Sequence, residues 1–530
     1  MIKKFFSKKF VRWSAWLIAL GFSLLVLFHM VENYRGAKAW EETVEMLEAG
    51  GETVDFDELL PDPLPDEENF GAIPVLKGIM VVVDGDPAKG SPGEKRERIQ
   101  AFGKKVFGSP PVDPPALSTS PVTTDDKFDL DGWATYFREH TDLVGADDAT
   151  IPAGEVILAA LGEFDPVFDE LTAAVDLPYA RFSPGLEQHR GAEDPFMISL
   201  PHLSALQALS KLLVLRAHAQ IALGQPEQAV ETIQAGLRVA ELSGDGGMLI
   251  GTLVHVAQIN MLMSPVWLAL EGRLLGADEL EELQRRLEGL DPIGSFRDGI
   301  RLELAGAARN LGTAKARGGV AEFVRMVSSS SGGGGGGGMA LLARLAPKGW
   351  IDQNRATLAR MHWEFELEPL KHGGVLQVKD KMEELLALQK QRAGFPSPYK
   401  FLAHMTMPSM AMAFQRIAQV QVFLDLQIGA IALERYYIQN GEYPESLDAL
   451  VPEFLEEVPR DIVADAPLHY KRTGDGRYQI YSIGWDGTDG GGEVSIKDNG
   501  SIDRLAGDWV WQYQAAGGQA QPGPPEDDSK

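Results

Sequence analysis

An uncharged apolar run from Trp13 to Val31 constrains the fold of this chain more than any other feature. Its 19 residues, at about 1.5 Å of rise per helical residue, match the roughly 30 Å hydrocarbon core of a bilayer. The cations that precede the run are Lys3, Lys4, Lys8, Lys9 and Arg12. Because basic residues stay on the cytoplasmic side, the pattern predicts a cytoplasmic N-terminus and an extracytoplasmic bulk.

A cleaved signal peptide is the alternative interpretation of this run. Signal peptides have an apolar region of about 7–15 residues and a small-x-small cleavage site after it. The run here is longer, and no such site follows Val31. We therefore predict an uncleaved, single-pass anchor in the inner (cytoplasmic) membrane of a bacterium.

The chain is strongly acidic, with 49 basic and 76 acidic residues, a net charge of −27 and no cysteine. The five cations before the anchor are the only charges ahead of residue 32, so the remainder has a net charge of −32. Such a surface repels nucleic acid and anionic lipid headgroups, and neither is an expected partner. The lack of cysteine excludes disulfides, thiolate metal sites and a cysteine nucleophile.

Composition and periodicity predict a mainly α fold with a small α+β module at the C-terminus. The predicted segments are a cytoplasmic basic segment 1–12, a transmembrane anchor 13–31, a mixed extracytoplasmic region 32–200 with a Pro-rich loop at 108–125, a helical domain 201–400 with a disordered Ser/Gly loop at 328–338, an α+β module 401–510 and a disordered tail 511–530. Just after the anchor, residues 37–51 predict a separate short helix that stops at Gly50-Gly51.

The segment from Leu203 to Leu290 has the strongest helical periodicity. Two of its helices are predicted to meet at Gly224-Gln225-Pro226. Apolar residues at helical spacing line one face of each helix: Leu206, Leu209, Leu213, Ala217 and Ile221 in the first, and Ala229, Ile233 and Leu237 in the second. The stretch resembles half of a tetratricopeptide repeat, but a period of about 34 residues does not recur. A helical bundle is the prediction.

The C-terminal module begins with one long apolar-periodic helix from Phe414, which ends at Asn440-Gly441. A shorter leucine-spaced helix follows. Alternating residues around Tyr470 and Ile480, separated by Gly474–Gly476, then predict an antiparallel hairpin packed on the long helix.

Here the sequence resembles the C-terminal domain of the major pseudopilin of type II secretion, over about residues 414–500. The matching motifs are Leu433-Glu434-x-Tyr436, Asn440-Gly441-x-Tyr443-Pro444, Leu447, Leu450, Pro459-x-Asp461, Tyr470 and Tyr481-Ser482-x-Gly484-x-Asp486-Gly487. The resemblance implies a long helix on a small antiparallel sheet and a calcium-binding acidic loop, with Asp486, Asp489 and Glu493 as ligands. A glycine-rich turn with solvated acids is the alternative interpretation of that loop. The remainder looks like uncharacterised bacterial membrane-anchored proteins, which implies no activity.

This sequence also departs from the pseudopilin pattern. Ile462-Val463-Ala464 stands where the family has Pro-Trp-Gly, and Val26 stands where a prepilin has its glutamate. Nearly 400 residues separate the anchor from residue 414. We therefore expect a shared fold and not a filament subunit.

Motifs for catalysis are weak. His362 and Glu366 lie one helical turn apart, which suits either a metal or a surface ion pair. The tract Gly332–Gly338 lacks the Gly-Lys-Ser/Thr ending of a phosphate-binding loop. The expected function is a non-enzymatic scaffold or protein-binding component of the envelope, with the membrane and envelope proteins as partners. A carboxylate-based hydrolase and an accessory part of a type II secretion or pilus-like system are the alternatives.

Overall fold

The computed structural model describes residues 8–80, 128–140, 150–182, 185–195, 202–244, 247–331, 343–372, 374–391, 399–497 and 502–513, with single positions between them. The helices are α1 Lys8–Ala49, α2 Pro74–Met80, α3 Leu130–His140, α4 Ala153–Leu161, α5 Asp165–Ala173, α6 His202–Ala222, α7 Pro226–Gly244, α8 Leu249–Glu271, α9 Ala277–Glu288, α10 Pro292–Arg317, α11 Val320–Ser331, α12 Gly349–His362, α13 Glu368–His372, α14 Gly374–Gln391 and α15 Phe401–Asn440. The strands are β1 Arg460–Asp461, β2 Ala466–Pro467, β3 His469–Arg472, β4 Tyr478–Ser482, β5 Val494–Ile496, β6 Ile502–Gly507 and β7 Trp509–Gln512.

The chain divides into two compact units, each made of stretches that are distant in sequence. The first, here the anchor unit, combines Met1–Pro61, Glu187–Ser199 and Ile300–Met412. The second, here the bundle unit, combines Asp62–Leu186, Leu200–Gly299 and Ala413–Lys530. Each unit therefore combines stretches from more than one of the segments that the sequence suggested.

The predicted fold class is confirmed in its coarse form: the structure is mainly helical, with small antiparallel sheets at the C-terminus. In the described part of 32–200 the regular elements are helical, with short 3₁₀ turns at Asp66–Glu68, Phe70–Ala72, Gly162–Phe164 and Leu186–His189. The predicted Pro-rich loop 108–125 lies outside the described residues except at positions 115 and 117.

Helix α1 is a single helix of 42 residues. The prediction of a separate short helix beyond the anchor is therefore wrong, because the sequence between Val31 and Trp40 contains no residue that ends a helix. Gly36 alone weakens a helix by only about 1 kcal/mol. The helix stops at the predicted place, where Gly51 takes φ +80°. Its apolar part is exposed, whereas Leu47 is fully buried.

Two further helical segments are long and apolar enough to cross a membrane, Leu249–Glu271 and Met410–Asn440. However, 72% and 89% of their most apolar windows are buried within the folded chain, against 0% for the window in α1. A segment that is already covered by protein gains little from lipid. The first helix is therefore the candidate membrane anchor among the described helices.

In the bundle unit α6, α7 and α8 pack in succession, and α4 and α5 cover α6 and α7. The predicted junction is confirmed, since α6 ends at Ala222 and α7 begins at Pro226. All eight residues predicted to line the two helices are buried. The core continues into Trp133 and Phe137 of α3 and Phe168 of α5.

The C-terminal hairpin is also confirmed, because β3 and β4 pair antiparallel with Tyr470 opposite Ile480. Helix α15 backs this sheet so closely that a Cβ on Gly429 would lie 2.8 Å from Cδ1 of Ile480. The leucine-spaced helix is reduced to a 3₁₀ turn, Leu447–Leu450.

Two predicted disordered segments are partly ordered. Strand β7 pairs with β4, and Tyr513, which follows β7, is buried. The prediction that disorder begins at residue 511 is therefore wrong. The alternation Trp509-Val510-Trp511 supplies the apolar face that a strand needs. Likewise Ser328–Ser331 form the last turn of α11 rather than loop. Residues 332–338 and 514–530 lie outside the described residues.

Candidate functional site

The most distinctive site is the place where α1 enters the anchor unit, here the anchor root, formed by Glu32, Asn33 and Gly36 of α1 with Gly349 and Trp350 of α12. The two helices cross with their backbones in contact. A Cβ on Gly36 would lie 2.2 Å from the carbonyl oxygen of Gly349, and a Cβ on Gly349 would lie 2.1 Å from that of Glu32. Glycine at both positions is what permits this approach.

Polar side chains complete the anchor root. The Asn33 side-chain oxygen accepts a hydrogen bond of 2.8 Å from the backbone N–H of Gly349. The Glu32 carboxylate, whose side chain is only 4% exposed, accepts from Nη1 of Arg35 at 2.8 Å and from Nε1 of Trp350 at 3.0 Å. A third bond of 3.2 Å comes from Nε2 of Gln353. A buried carboxylate with three donors is a costly group that its neighbours stabilise.

Beyond the anchor root, one face of α1 stays packed against the anchor unit as far as the C-terminus of the helix. The Arg360 side chain donates from Nε to Oγ1 of Thr43 at 2.8 Å, and Thr43 is fully buried. Arg355 stacks 3.9 Å from the centroid of Trp40. The Lys371 ammonium donates to the carbonyl oxygen of Gly50, one of the carbonyls that a helix end leaves without a partner. The part of α1 that makes these contacts, from Glu32 to Gly50, is about 27 Å long.

A buried histidine–carboxylate cluster lies in the same unit. His362 Nδ1 and Glu366 Oε2 are 2.6 Å apart, and their side chains are 3% and 0% exposed. The sequence reading of a surface ion pair is therefore wrong. The residues Trp363–Leu367 form a π-helical turn, an irregularity frequent at functional sites. The other carboxylate oxygen of Glu366 makes no hydrogen bond within the described structure.

Charge within this cluster is set by burial and by mutual attraction. Burial alone would lower the pKa of His362, but Glu366 and then Glu303 outweigh it, so the pKa is raised above its ordinary value. Burial raises the pKa of Glu303, which His362 counteracts in part. The two nearby carboxylates therefore favour the cationic form of His362 against the effect of its burial. The side chains of His362 and Glu366 are buried from solvent.

The three predicted calcium ligands lie in the loop between β4 and β5, where they bind protein groups. Asp486 accepts from the backbone N–H of Thr488 at 2.9 Å and of Gly507 at 2.8 Å. Asp489 accepts from the N–H of Gly491 at 2.8 Å. The side chain of Glu493 is not part of these interactions, although its backbone N–H donates 3.2 Å to Asp508. Calcium binding by this loop stays a prediction.

Asp508, which sequence reasoning missed, organises the same loop. Its carboxylate is 1% exposed and accepts from the N–H groups of Gly490 at 3.1 Å, Gly492 at 2.5 Å and Glu493 at 3.2 Å. Three backbone N–H groups that donate to one carboxylate hold the loop around it. Within the described residues, no group of three or more acidic or histidine side chains is placed to hold a metal ion.

A tyrosine cluster surrounds Glu434 on α15. The Glu434 carboxylate accepts from the hydroxyls of Tyr443, at 2.7 Å, and Tyr513. Arg273, after α8, donates to the Tyr443 hydroxyl at 3.0 Å. Burial raises the pKa of Glu434, although the two hydroxyls and Arg273 oppose that effect. This network joins the helical bundle to the C-terminal sheet within one unit, which is a structural role.

Comparisons with protein-family models, with curated proteins and with solved structures found no match to this chain. The resemblance to the pseudopilin domain therefore rests on the motifs alone and stays a prediction.

Proposed function

We propose that this chain is a membrane-anchored scaffold of the bacterial envelope, which binds other proteins and catalyses no reaction. Trp13–Val31 is its single membrane span, the N-terminus is cytoplasmic, and the two folded units lie outside the cytoplasm in contact with envelope proteins. The observation that carries the proposal is the continuity of α1, which runs without a break from an exposed apolar half into a half that buries one face, with Glu32, Thr43 and Leu47, in the anchor unit.

The anchor root supports a positioning role. A flexible tether needs only a linker after its membrane span. Here one face of α1 packs against the rest of the anchor unit over about 27 Å. The glycine crossing and the bonds to Glu32 fix both the rotation of α1 and its depth in the unit. A body held this way keeps one face towards the membrane, which suits a scaffold that presents binding surfaces at a fixed height.

The hydrolase alternative has one group of residues in its favour, the cluster of His362, Glu366 and Glu303. Hydrolysis needs a general acid or base within hydrogen-bond reach of the substrate. The sealed side chains of His362 and Glu366 do not meet that requirement, and their short contact suits a structural pair. We therefore prefer the scaffold function to the hydrolase function.

An accessory role in a type II secretion-like system is the second candidate. The observation in its favour is the three-stranded antiparallel sheet β3-β4-β7 packed on the long helix α15, as the resemblance implied. In that case the sheet would face pseudopilin-type partners.

Cysteine labelling tests the topology, since the natural chain has no cysteine. Single cysteines are placed at Lys4 and at the exposed Glu48. In intact bacteria stripped of their outer membrane, a membrane-impermeant maleimide should label position 48 and should reach position 4 only after lysis. Equal labelling of both positions, or recovery of the full chain as a soluble cytosolic species, contradicts the proposal.

Partner capture from solubilised membranes tests the scaffold role. We expect the full chain to retain a reproducible set of envelope proteins, and the conservative variant Glu303→Gln to retain the same set. Secretion components in that set would favour the second candidate. A hydrolytic activity lost in Glu303→Gln without loss of folding would favour the hydrolase.

A further inference from the structure

The segment 343–350, which includes the first two residues of α12, lies beside the C-terminal end of the apolar run of α1. Trp350 packs edge-on against Phe28 of α1, with ring centroids 6.3 Å apart and an interplanar angle of 83°. Phe28 is three residues before the end of the apolar run, or about 5 Å inside it. This packing places Trp350 beside the membrane boundary, if the span is in the bilayer as proposed above.

Aromatic residues gather at this level. Tyr34, in the first turn after the span, is 69% exposed. Tyr399 lies with its ring centroid 5.9 Å from that of Trp350 and 5.9 Å from the guanidinium carbon of Arg35. Tyrosine and tryptophan concentrate where membrane meets water, because their rings are apolar and their polar atoms reach headgroups. Trp13 and Trp16 occupy the opposite end of the span.

The segment itself exposes an apolar side chain between two cations. Leu345 is 58% exposed, while Ala343 and Pro347 on either side of it are buried and hold the segment in place. Arg344 and Lys348 are exposed. A leucine flanked by long basic side chains is the pattern by which a surface enters lipid, since such side chains reach phosphates while their stems stay apolar.

We propose that residues 343–350 form a second membrane contact, in which Leu345 enters the lipid and Arg344 and Lys348 bind headgroup phosphates. The inference rests on the proposed anchor, because only the packing on α1 brings this segment to the bilayer. It qualifies the expectation that so acidic a chain avoids anionic lipid. Charges farther than about 8 Å are screened at physiological salt, so the local cations decide the contact.

Single-cysteine variants of the full, otherwise cysteine-free chain test the inference: Leu345→Cys, Phe28→Cys within the span and Glu48→Cys as the control. Position 48 lies 17 residues beyond Val31, or about 26 Å along α1. Each variant carries a nitroxide and is reconstituted into vesicles of phosphatidylcholine and phosphatidylglycerol. Collision rates are measured with oxygen, which dissolves in lipid, and with an anionic chromium complex, which does not.

We expect the labels at positions 28 and 345 to collide preferentially with oxygen. The collision rate with the chromium complex should be at least about fivefold lower at position 345 than at position 48, because apolar lipid excludes the charged complex. If 28 is protected but 345 is as accessible as 48, the second contact is refuted and the anchor stands. If 28 itself is accessible to chromium, the proposed anchor has failed. Replacing both Arg344 and Lys348 by Gln should raise the chromium rate at 345 several-fold, and an unchanged rate would refute the phosphate contact.

Discussion

The carboxyl of Asp425 on α15 offers the sharpest test of the bundle unit. Burial raises the pKa of Asp425 to about 7, and the carboxylates of Asp461 and Asp291 add repulsion in the same direction. One hydrogen bond of 3.0 Å from Nε2 of Gln421 opposes these effects only in part. The folded chain thus holds a proton that the unfolded chain releases near pH 4.

The sign and size of the effect follow from this difference. A raised pKa in the folded state stabilises the fold fully below about pH 4, and this contribution is lost as the pH rises through about 7. A difference of about three pKa units corresponds to about 4 kcal/mol of unfolding free energy. Because Asp425 keeps some contact with solvent, we expect about half of this, roughly 2 kcal/mol. Asp425→Asn cannot ionise and should avoid the loss.

Hydrogen–deuterium exchange of peptides from α15 measures the effect at pH 5 and pH 8 on the full chain in detergent. Asp425→Asn should match the natural chain at pH 5 and exchange more slowly at pH 8. Comparison at equal pH cancels the intrinsic exchange rate. The exposed Asp475, whose pKa is lowered by the hydroxyl of Thr473, is the control, and Asp475→Asn should give no such gain. Equal protection of Asp425→Asn and the natural chain at pH 8, or the same gain at both pH values, would refute the reasoning.

Further predictions concern the anchor unit and the C-terminal loop. Gly36→Val should destabilise the anchor unit by about 3 kcal/mol, because the new side chain overlaps the backbone of Gly349. Gly21→Val is the control: a Cβ at that position has no other atom within 4 Å, so the thermal midpoint should not change. His362→Gln leaves the buried Glu366 carboxylate without its histidine partner and should lower the free energy of unfolding in urea by about 3–5 kcal/mol. A loss below about 1 kcal/mol would show that the pair is not charged. Asp508→Asn removes one of the two carboxylate oxygens that accept from the loop and should speed amide exchange in the loop 486–493; equal exchange would mean that the Asp508 carboxylate is not what orders the loop. Calcium should raise the thermal midpoint of the natural chain if the predicted site exists; an unmoved midpoint removes that prediction.

Sequence patterns predicted the elements whose stability is local. The helices α6 and α7 carry apolar residues at strict helical spacing, and Gly224 and Pro226 separate them with residues that suit only a turn. The hairpin β3-β4 was likewise indicated by alternation around its glycine turn. Strand β7 was missed because it pairs with β4, across a separation that no local pattern reveals.

The residues of the candidate sites were harder to predict, because their roles depend on what packs against them. Glu32 reads as the first solvated acid after a span, yet α12 buries it. His362 and Glu366 have the spacing of a surface pair, and the same spacing occurs in the sealed cluster. Asp508 stands beside Trp509 with no motif around it, although three loop amides converge on its carboxylate.

Gly36 is the residue at which the apolar helix α1 makes its close contact with α12 of the anchor unit. In a span that only tethers, a glycine one turn beyond the lipid would be a weakness, since it lowers the stability of an exposed helix. Here that cost is offset because Gly36 lets α1 touch the first turn of α12, and Asn33 accepts from one of the N–H groups that a helix N-terminus leaves without an internal partner. The glycine thus converts a weak point of the helix into a close contact, and in the proposed function this contact would orient the anchor unit on the membrane. The proposed scaffold role requires such a joint, since a scaffold must present a defined face, whereas a simple tether does not need one.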